Sequence, residues 1–209
     1  MSNLKQLGVG VVLYPMENRE VYPGCASPIA FEPADWIYWR TNDLAPPLEK
    51  SRVVAMMGSW NAKLFRCPLD RNDSGRIANG SPVYLYSYSF TSIESDFDSR
   101  ILYNFGFASR NFGFPDPFKT SQVRRPSLKI MLAEEPTLKT PGEMPPTYSR
   151  LVDDGQWTPR TSLLQPNPAR DDTLTRRHSG KAQVLYGDSH SSPASYNEPW
   201  DTNVVVASF

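Results

Sequence analysis

Twenty prolines are spread through 209 residues. That is roughly twice the average usage of about 5%. Proline fixes φ and removes a backbone donor, so it interrupts helix interiors and sheet ladders. A chain punctuated this often is expected to fold as short elements joined by long ordered loops. Hydrophobic residues make up 39% and aromatic residues 12%. The first value is slightly low for a compact globule, so Tyr, Phe and Trp rings are expected to supply core that aliphatic side chains do not.

Charge narrows the function classes. Lys plus Arg number 22 and Asp plus Glu number 22, for a formal net charge of zero. Without a basic excess, binding to a phosphate backbone is poorly supported, and no nucleic-acid partner is expected. The pairs Arg124-Arg125 and Arg176-Arg177 read as solvated loop charges. No run reaches the 18 or so apolar residues that a membrane span needs. No secretory leader precedes Ser2, so the chain reads as soluble. The two cysteines, Cys25 and Cys67, form no CxxC pair. They permit a disulfide closing a loop of about forty residues, worth roughly 3–4 kcal/mol through the unfolded state. The alternative is two separate buried thiols.

Periodicity places the elements. Residues 2–18 read as a helix that Ser2 or Asn3 can cap, with Leu4, Leu7, Val11 and Tyr14 on one stripe. Gly8 and Gly10 weaken it by about 1 kcal/mol each, and Pro15 is expected to kink or end it. Residues 20–47 read as extended, anchored by Trp36, Tyr38 and Trp39, and residues 48–58 as a short helix. Strands are expected at 63–67, at 83–90 from the alternation of Tyr84, Tyr86, Tyr88 and Phe90, at 128–133 and at 182–186. Residues 191–196 are placed to pair with the last of these, and 203–208 form a final strand or a tail. Residues 91–120 read as loop, and 136–176 as irregular. One helix followed by short antiparallel strands is an α+β pattern, with the helix packed on one face of a small antiparallel sheet.

The densest chemistry lies near the C-terminus, in Arg177-His178-Ser179-Gly180-Lys181 and Gly187-Asp188-Ser189-His190. A Gly-containing turn leads into an apolar strand that ends at an acidic turn. Nine residues separate His178 from Asp188, and His178 and His190 are the only histidines.

With these residues in view, the chain resembles a pseudopilin-like family carrying a prepilin-type cleavage and methylation signal. Ser2 to Gly8 is similar to the segment that follows the membrane-spanning half of that family's N-terminal helix. Cys67-Pro68-Leu69-Asp70 is similar to its Cys-Pro-x-Asp element, and residues 119–135 to its middle strand. His178 and Asp188, with Gly180 and His190 beside them, resemble its terminal His-x9-Asp-Gly motif, with Ser189 where a glycine is expected. The resemblance implies a type IV pilin-like head over residues 1–209, in which 1–18 are the lower half of the N-terminal helix and 19–209 the globular part. It implies a non-enzymatic structural subunit, related to the major pseudopilins of type II secretion. Other pseudopilin subunits, secretion-system components and the inner membrane would be its partners, at the periplasm or cell surface. The hydrophobic helix half that would enter the membrane is not among these residues.

Alternative chemistry is weighed on the same residues. His178, Asp188 and His190 together offer donors suited to zinc or a similar ion. The bland reading has His178 bonded to a backbone carbonyl or to Asp188, with Asp188 capping the turn through backbone amides. Asp70, Asn72 and Asp73 before Gly75 resemble the opening of a calcium loop, though Ser81 stands where its twelfth acidic ligand belongs. The pseudopilin-like resemblance implies no required cofactor, and it raises calcium as an ion, since major pseudopilins of type II systems often bind calcium in a loop near the C-terminus. Glu134-Glu135 at a strand end point to opposite faces and are poorly placed to share a proton. Trp36, Trp39, Tyr84, Tyr86, Tyr88 and Phe90 are either core or, if exposed in a row, a carbohydrate-stacking platform.

Overall fold

Leu4, Leu7, Val11 and Tyr14 recur at spacings of three and four, and in the computed structural model they form the buried stripe of helix α1, Asn3–Glu17. The structure describes residues 3–27, 31–40, 46–71, 73, 76, 83–92, 106–109, 118–137, 143, 151–159, 171–195, 204 and 207. Pro15 does not end α1, because it lies in the last turn. The helix stops two residues later, where Arg19 and Glu20 turn left-handed. The side-chain amide of Asn18 closes that end by donating to the Tyr14 carbonyl at 2.8 Å. At the other end Asn3 does not act as a cap. Its amide donates to the carbonyls of Lys63 and Arg66, pinning the helix to the next segment.

The two glycines of α1 are explained by close approach. An ideal Cβ on Gly10 would lie 2.6 Å from the carbonyl oxygen of Val53, in the short helix α2, Arg52–Ala55. One on Gly8 would meet Leu185 at 2.9 Å. α1 is therefore wedged between α2 and the sheet, and the lost helix propensity is exchanged for contact distance.

Five strands form one sheet: β1 (Tyr88–Thr91), β2 (Ile130–Glu134), β3 (Gln156–Trp157), β4 (Ala182–Tyr186) and β5 (Ser191–Ala194), in the order β3-β1-β2-β4-β5. The expected strands at 128–133, 182–186 and 191–196 are present, and β4 and β5 pair as the expected hairpin. The sheet is mixed rather than purely antiparallel, since β3 runs parallel to β1. β3 has two residues, too few to show periodicity in a Pro-rich stretch. Two other expectations are corrected. Residues 63–67 are not a strand: Ala62–Phe65 is a turn of 3₁₀ helix whose start is capped by Asn61, accepting from the Lys63 amide. The Tyr-alternating strand begins only at Tyr88. Upstream, the carbonyls of Tyr84 and Tyr86 both accept from Arg76 at 2.7 Å, so a guanidinium takes the place of a neighbouring strand.

The rings do supply the core. Trp36, Phe65, Phe90 and Phe107 are fully buried, with Tyr22 edge-on to Phe107 at 5.3 Å. Trp36 and Trp39 also hold loops by donating to the carbonyls of Gly155 and Ala26, each at 2.9 Å. A second, smaller cluster of Ile130, Trp157, Leu174 and Val184 is built from the same strands. Cys25 and Cys67 are separate buried thiols and not a disulfide. Cys25 instead donates to Gln156 Oε1 at 3.3 Å. Of the expected terminal element at 203–208, only Val204 and Ala207 lie within the described residues, and the Ala207 carbonyl accepts from the Arg124 amide at 2.8 Å.

Gly10→Ala raises helix propensity by about 1 kcal/mol, yet it should lower stability by roughly 1–3 kcal/mol, because the new methyl overlaps backbone that cannot yield. Chemical denaturation beside Gly58→Ala, whose Cβ would meet nothing within 4 Å, checks the sign. A stabilised Gly10→Ala would show that α1 and α2 are not in close contact.

Candidate functional site

Three segments far apart in sequence meet at one end of β2. The turn after Arg177 is closed by reciprocal bonds between the backbones of His178 and Lys181, at 3.1 and 3.2 Å. Ser179 and Gly180 take left-handed φ values of 54° and 86°, which Gly180 accepts without cost. This tight reversal carries Arg177 and His178 onto Glu134, the last residue of β2. The Ala62–Phe65 turn and the Cys67-Pro68 step bring Cys67 and Asp70 to the same place.

Glu134 is fully buried. Its Oε2 accepts from His178 Nε2 at 2.9 Å and from the Gln183 amide at 3.2 Å. Its Oε1 faces Arg177 Nη1 at 3.4 Å. The same His178 Nε2 lies 3.4 Å from Cys67 Sγ, and that sulfur also accepts from the Leu69 amide at 3.4 Å. Asp70 Oδ2 accepts from Arg76 and from the Ser87 hydroxyl, and lies 3.4 Å from Arg177 Nη1. Arg177 also donates to Glu143 at 2.9 Å and to the Glu135 carbonyl at 2.8 Å.

The charges balance. Asp70, Asp73, Glu134 and Glu143 face Arg66, Arg76, Arg177 and the His178 imidazole. Four negative charges meet four positive ones when the imidazole is protonated. For Asp70, Glu134, Arg76 and Arg177 burial makes pairing obligatory, because an ion taken out of water without a partner costs several kcal/mol, whereas Asp73 reaches the rim from solvent. The bond to the Cys67 sulfur, followed by that to the Glu134 carboxylate, pushes the His178 imidazole up to about 10 against the opposing effect of burial.

Geometry limits the chemistry. A nucleophile–base–carboxylate relay uses both ring nitrogens, one toward each partner. Here one nitrogen meets both the sulfur and the carboxylate, so His178 clamps the two groups and does not stand between them as in such a relay. As a donor set, the Cys67 sulfur, a Glu134 oxygen and a His178 nitrogen all lie within 4.8 Å of one another.

The expected triplet of His178, Asp188 and His190 is not one site. His178 precedes β4 and the other two follow it, separated by roughly 13 Å of strand at about 3.3 Å per step. Asp188 and His190 form a local, exposed pair with Nδ1 to Oδ1 at 2.5 Å, and the imidazole stacks on Tyr186 at 4.3 Å. Asp188 does cap its turn, accepting from the His190 amide at 3.1 Å. Ser189, in the glycine position, adopts φ 71°. The calcium-loop reading of Asp70, Asn72 and Asp73 is also corrected. Asp70 and Asp73 are turned onto Arg66 and Arg76, whose guanidinium groups occupy the place of a cation; Asn72 lies outside the described residues. Glu134 and Glu135 part company as expected. Glu135 bonds Ser89, and burial first, then Asp172, raises its carboxyl well above the ordinary range. The aromatic row is core. Trp36, Trp39, Tyr84, Tyr88 and Phe90 are all buried, and Tyr86 is half-buried, so no exposed row is left for stacking a sugar.

What sequence reading missed is the meeting itself. Cys67, Asp70, Glu134 and His178 each stood in a segment of interest, but nothing in their spacing joins them. Arg76 carried no signal at all. The fold is thus a mixed α/β one, with an N-terminal helix and a five-stranded sheet. No protein-family model, curated protein or solved structure matches this chain.

Two measurements probe the cluster. Asp70→Asn should cost about 3–5 kcal/mol, because it leaves buried guanidinium charge uncompensated. A loss below about 1 kcal/mol in urea denaturation would show that Arg76 and Arg177 do not depend on it. In metal-free buffer the contribution of His178 is complete below its unfolded value of about 6.5 and is lost as pH rises toward about 10. Unfolding free energy should fall across that window in the wild type, and His178→Ala should remove this component of the slope.

Proposed function

We propose that the chain is the non-enzymatic head of a pseudopilin-like subunit that assembles through its N-terminal helix into a pseudopilus or pilus-like fibre. The observation that carries this reading is that α1 is apolar on two sides. Its inward stripe is buried. Outward, Val9, Leu13 and Met16 are 48%, 38% and 76% exposed, at spacings of four and three. Helices with apolar residues on opposing faces are built to pack on both. The core beneath holds one face, and neighbouring subunits would hold the other.

The motif resemblance adds to this. The Cys-Pro-x-Asp element, the middle strand and the turn of His178 meet in one ionic cluster, as parts of a single locking device would. In this reading the head is type IV pilin-like and the cluster fixes its long loops rather than turning over a substrate. Among the described residues no helix is long and apolar enough to cross a membrane. The membrane anchor would be an apolar segment leading into α1. Other subunits and secretion-system components would be the partners, at the periplasm or cell surface.

Cysteine substitutions at Val9, Leu13 and Met16 test the reading in the producing cell, with Lys181→Cys as an exposed polar control. Cys25 and Cys67 are buried, so background is low. Oxidation should give disulfide-linked dimers from the helix positions and none from the control. Monomer throughout would overturn assembly through α1.

A further inference from the structure

We propose that Cys67, Glu134 and His178 form a zinc site. The donors are one sulfur, one imidazole nitrogen and one carboxylate oxygen, all within 4.8 Å of one another. Tetrahedral zinc, with bonds of about 2.3 Å to sulfur and 2.0–2.1 Å to nitrogen, sets those two ligand atoms about 3.5 Å apart. Cys67 Sγ and His178 Nε2 are 3.4 Å apart. His178 Nε2 and Glu134 Oε2, at 2.9 Å, need to open by only a few tenths of an ångström to admit the ion. Sulfur with nitrogen selects a borderline metal such as zinc over calcium or magnesium, which take oxygen.

The surroundings are those of a ligand shell. The Leu69 amide, two residues beyond Cys67, donates to the sulfur at 3.4 Å and orients it. The Gln183 amide and Arg177 hold the Glu134 carboxylate from outside. With a thiolate and a carboxylate among its ligands, the two positive charges of zinc are matched one for one. Two of the donors meet solvent-accessible space: Cys67 lines a cavity of about 590 Å³ with Leu64, Pro68 and Tyr86, and the His178 side chain is 23% exposed. Three protein ligands leave a fourth position for water.

The site stands apart from the assembly reading, because a head that never polymerises would bind the ion equally. Cobalt(II) is the probe, added to the reduced, chelator-stripped full chain. A thiolate-to-cobalt charge-transfer band should appear, saturate at one equivalent per chain and vanish when zinc is added. It should persist in Cys25→Ser and be lost in Cys67→Ser. The wild-type and Cys25→Ser spectra require no altered ligand to fold. Absence of the band in both overturns the site, as does a band that survives Cys67→Ser in a folded protein.

Discussion

Arg76 and Arg177 are buried guanidinium groups, and everything around them is arranged to keep them compensated. Asp70 is the hub: Arg76 and Arg177 both meet its carboxylate, and Arg66 approaches it from the half-buried side. Glu134 and Glu143 complete the pairing of Arg177. In low dielectric, no one of these charges can be withdrawn without leaving another exposed to the full cost of burial. The residues that carry them, Arg66, Asp70 and Arg76, the end of β2, Glu143 and the turn at 177–178, are therefore tied to one another. This matters in a chain with so many prolines, where few backbone donors are available to hold loops in ladders. Ion pairs and indole N–H bonds to carbonyls do that work instead.

α1 sets the other boundary of the molecule. Glycine at positions 8 and 10 lets it sit close to Leu185 on one side and to the α2 backbone on the other. Leu4, Leu7 and Val11 are then sealed into the aromatic core. The outward apolar residues Val9, Leu13 and Met16 stand outside that cluster. Their presence is an expense in solubility that assembly would explain. The cluster at Arg177 and the outward face of α1 are thus separate features, one tying distant segments together and one leaving apolar side chains exposed.

The legible parts were those governed by local rules. The helix at 3–17 follows from a stripe at spacings of three and four, and β4–β5 from an apolar run and a turn. The failures also have local causes. Asn61 capped a helical turn where 63–67 looked extended, and Arg76 captured the carbonyls of Tyr84 and Tyr86 before a strand could. Both were decided by one side chain reaching the backbone, which hydrophobic periodicity does not register. The histidine motif was noticed for the right residues and joined to the wrong ones. His178 lies with Cys67 and Glu134, across more than a hundred residues in the first case, while Asp188 and His190 keep to their own turn.

Sequence alone determined that an amphipathic helix opens the chain, that short strands follow and that rings fill the core. Those properties depend on residue type and spacing over a few turns or a few strand residues. Only the tertiary structure decided that the sheet is mixed, that two cysteines stay apart, and that Asp70, Glu134, Arg76 and Arg177 share one buried site with His178 at its edge. Such pairings are set by where distant segments cross, and the energy that enforces them, the penalty for an unpaired charge out of water, has no counterpart in the one-dimensional pattern.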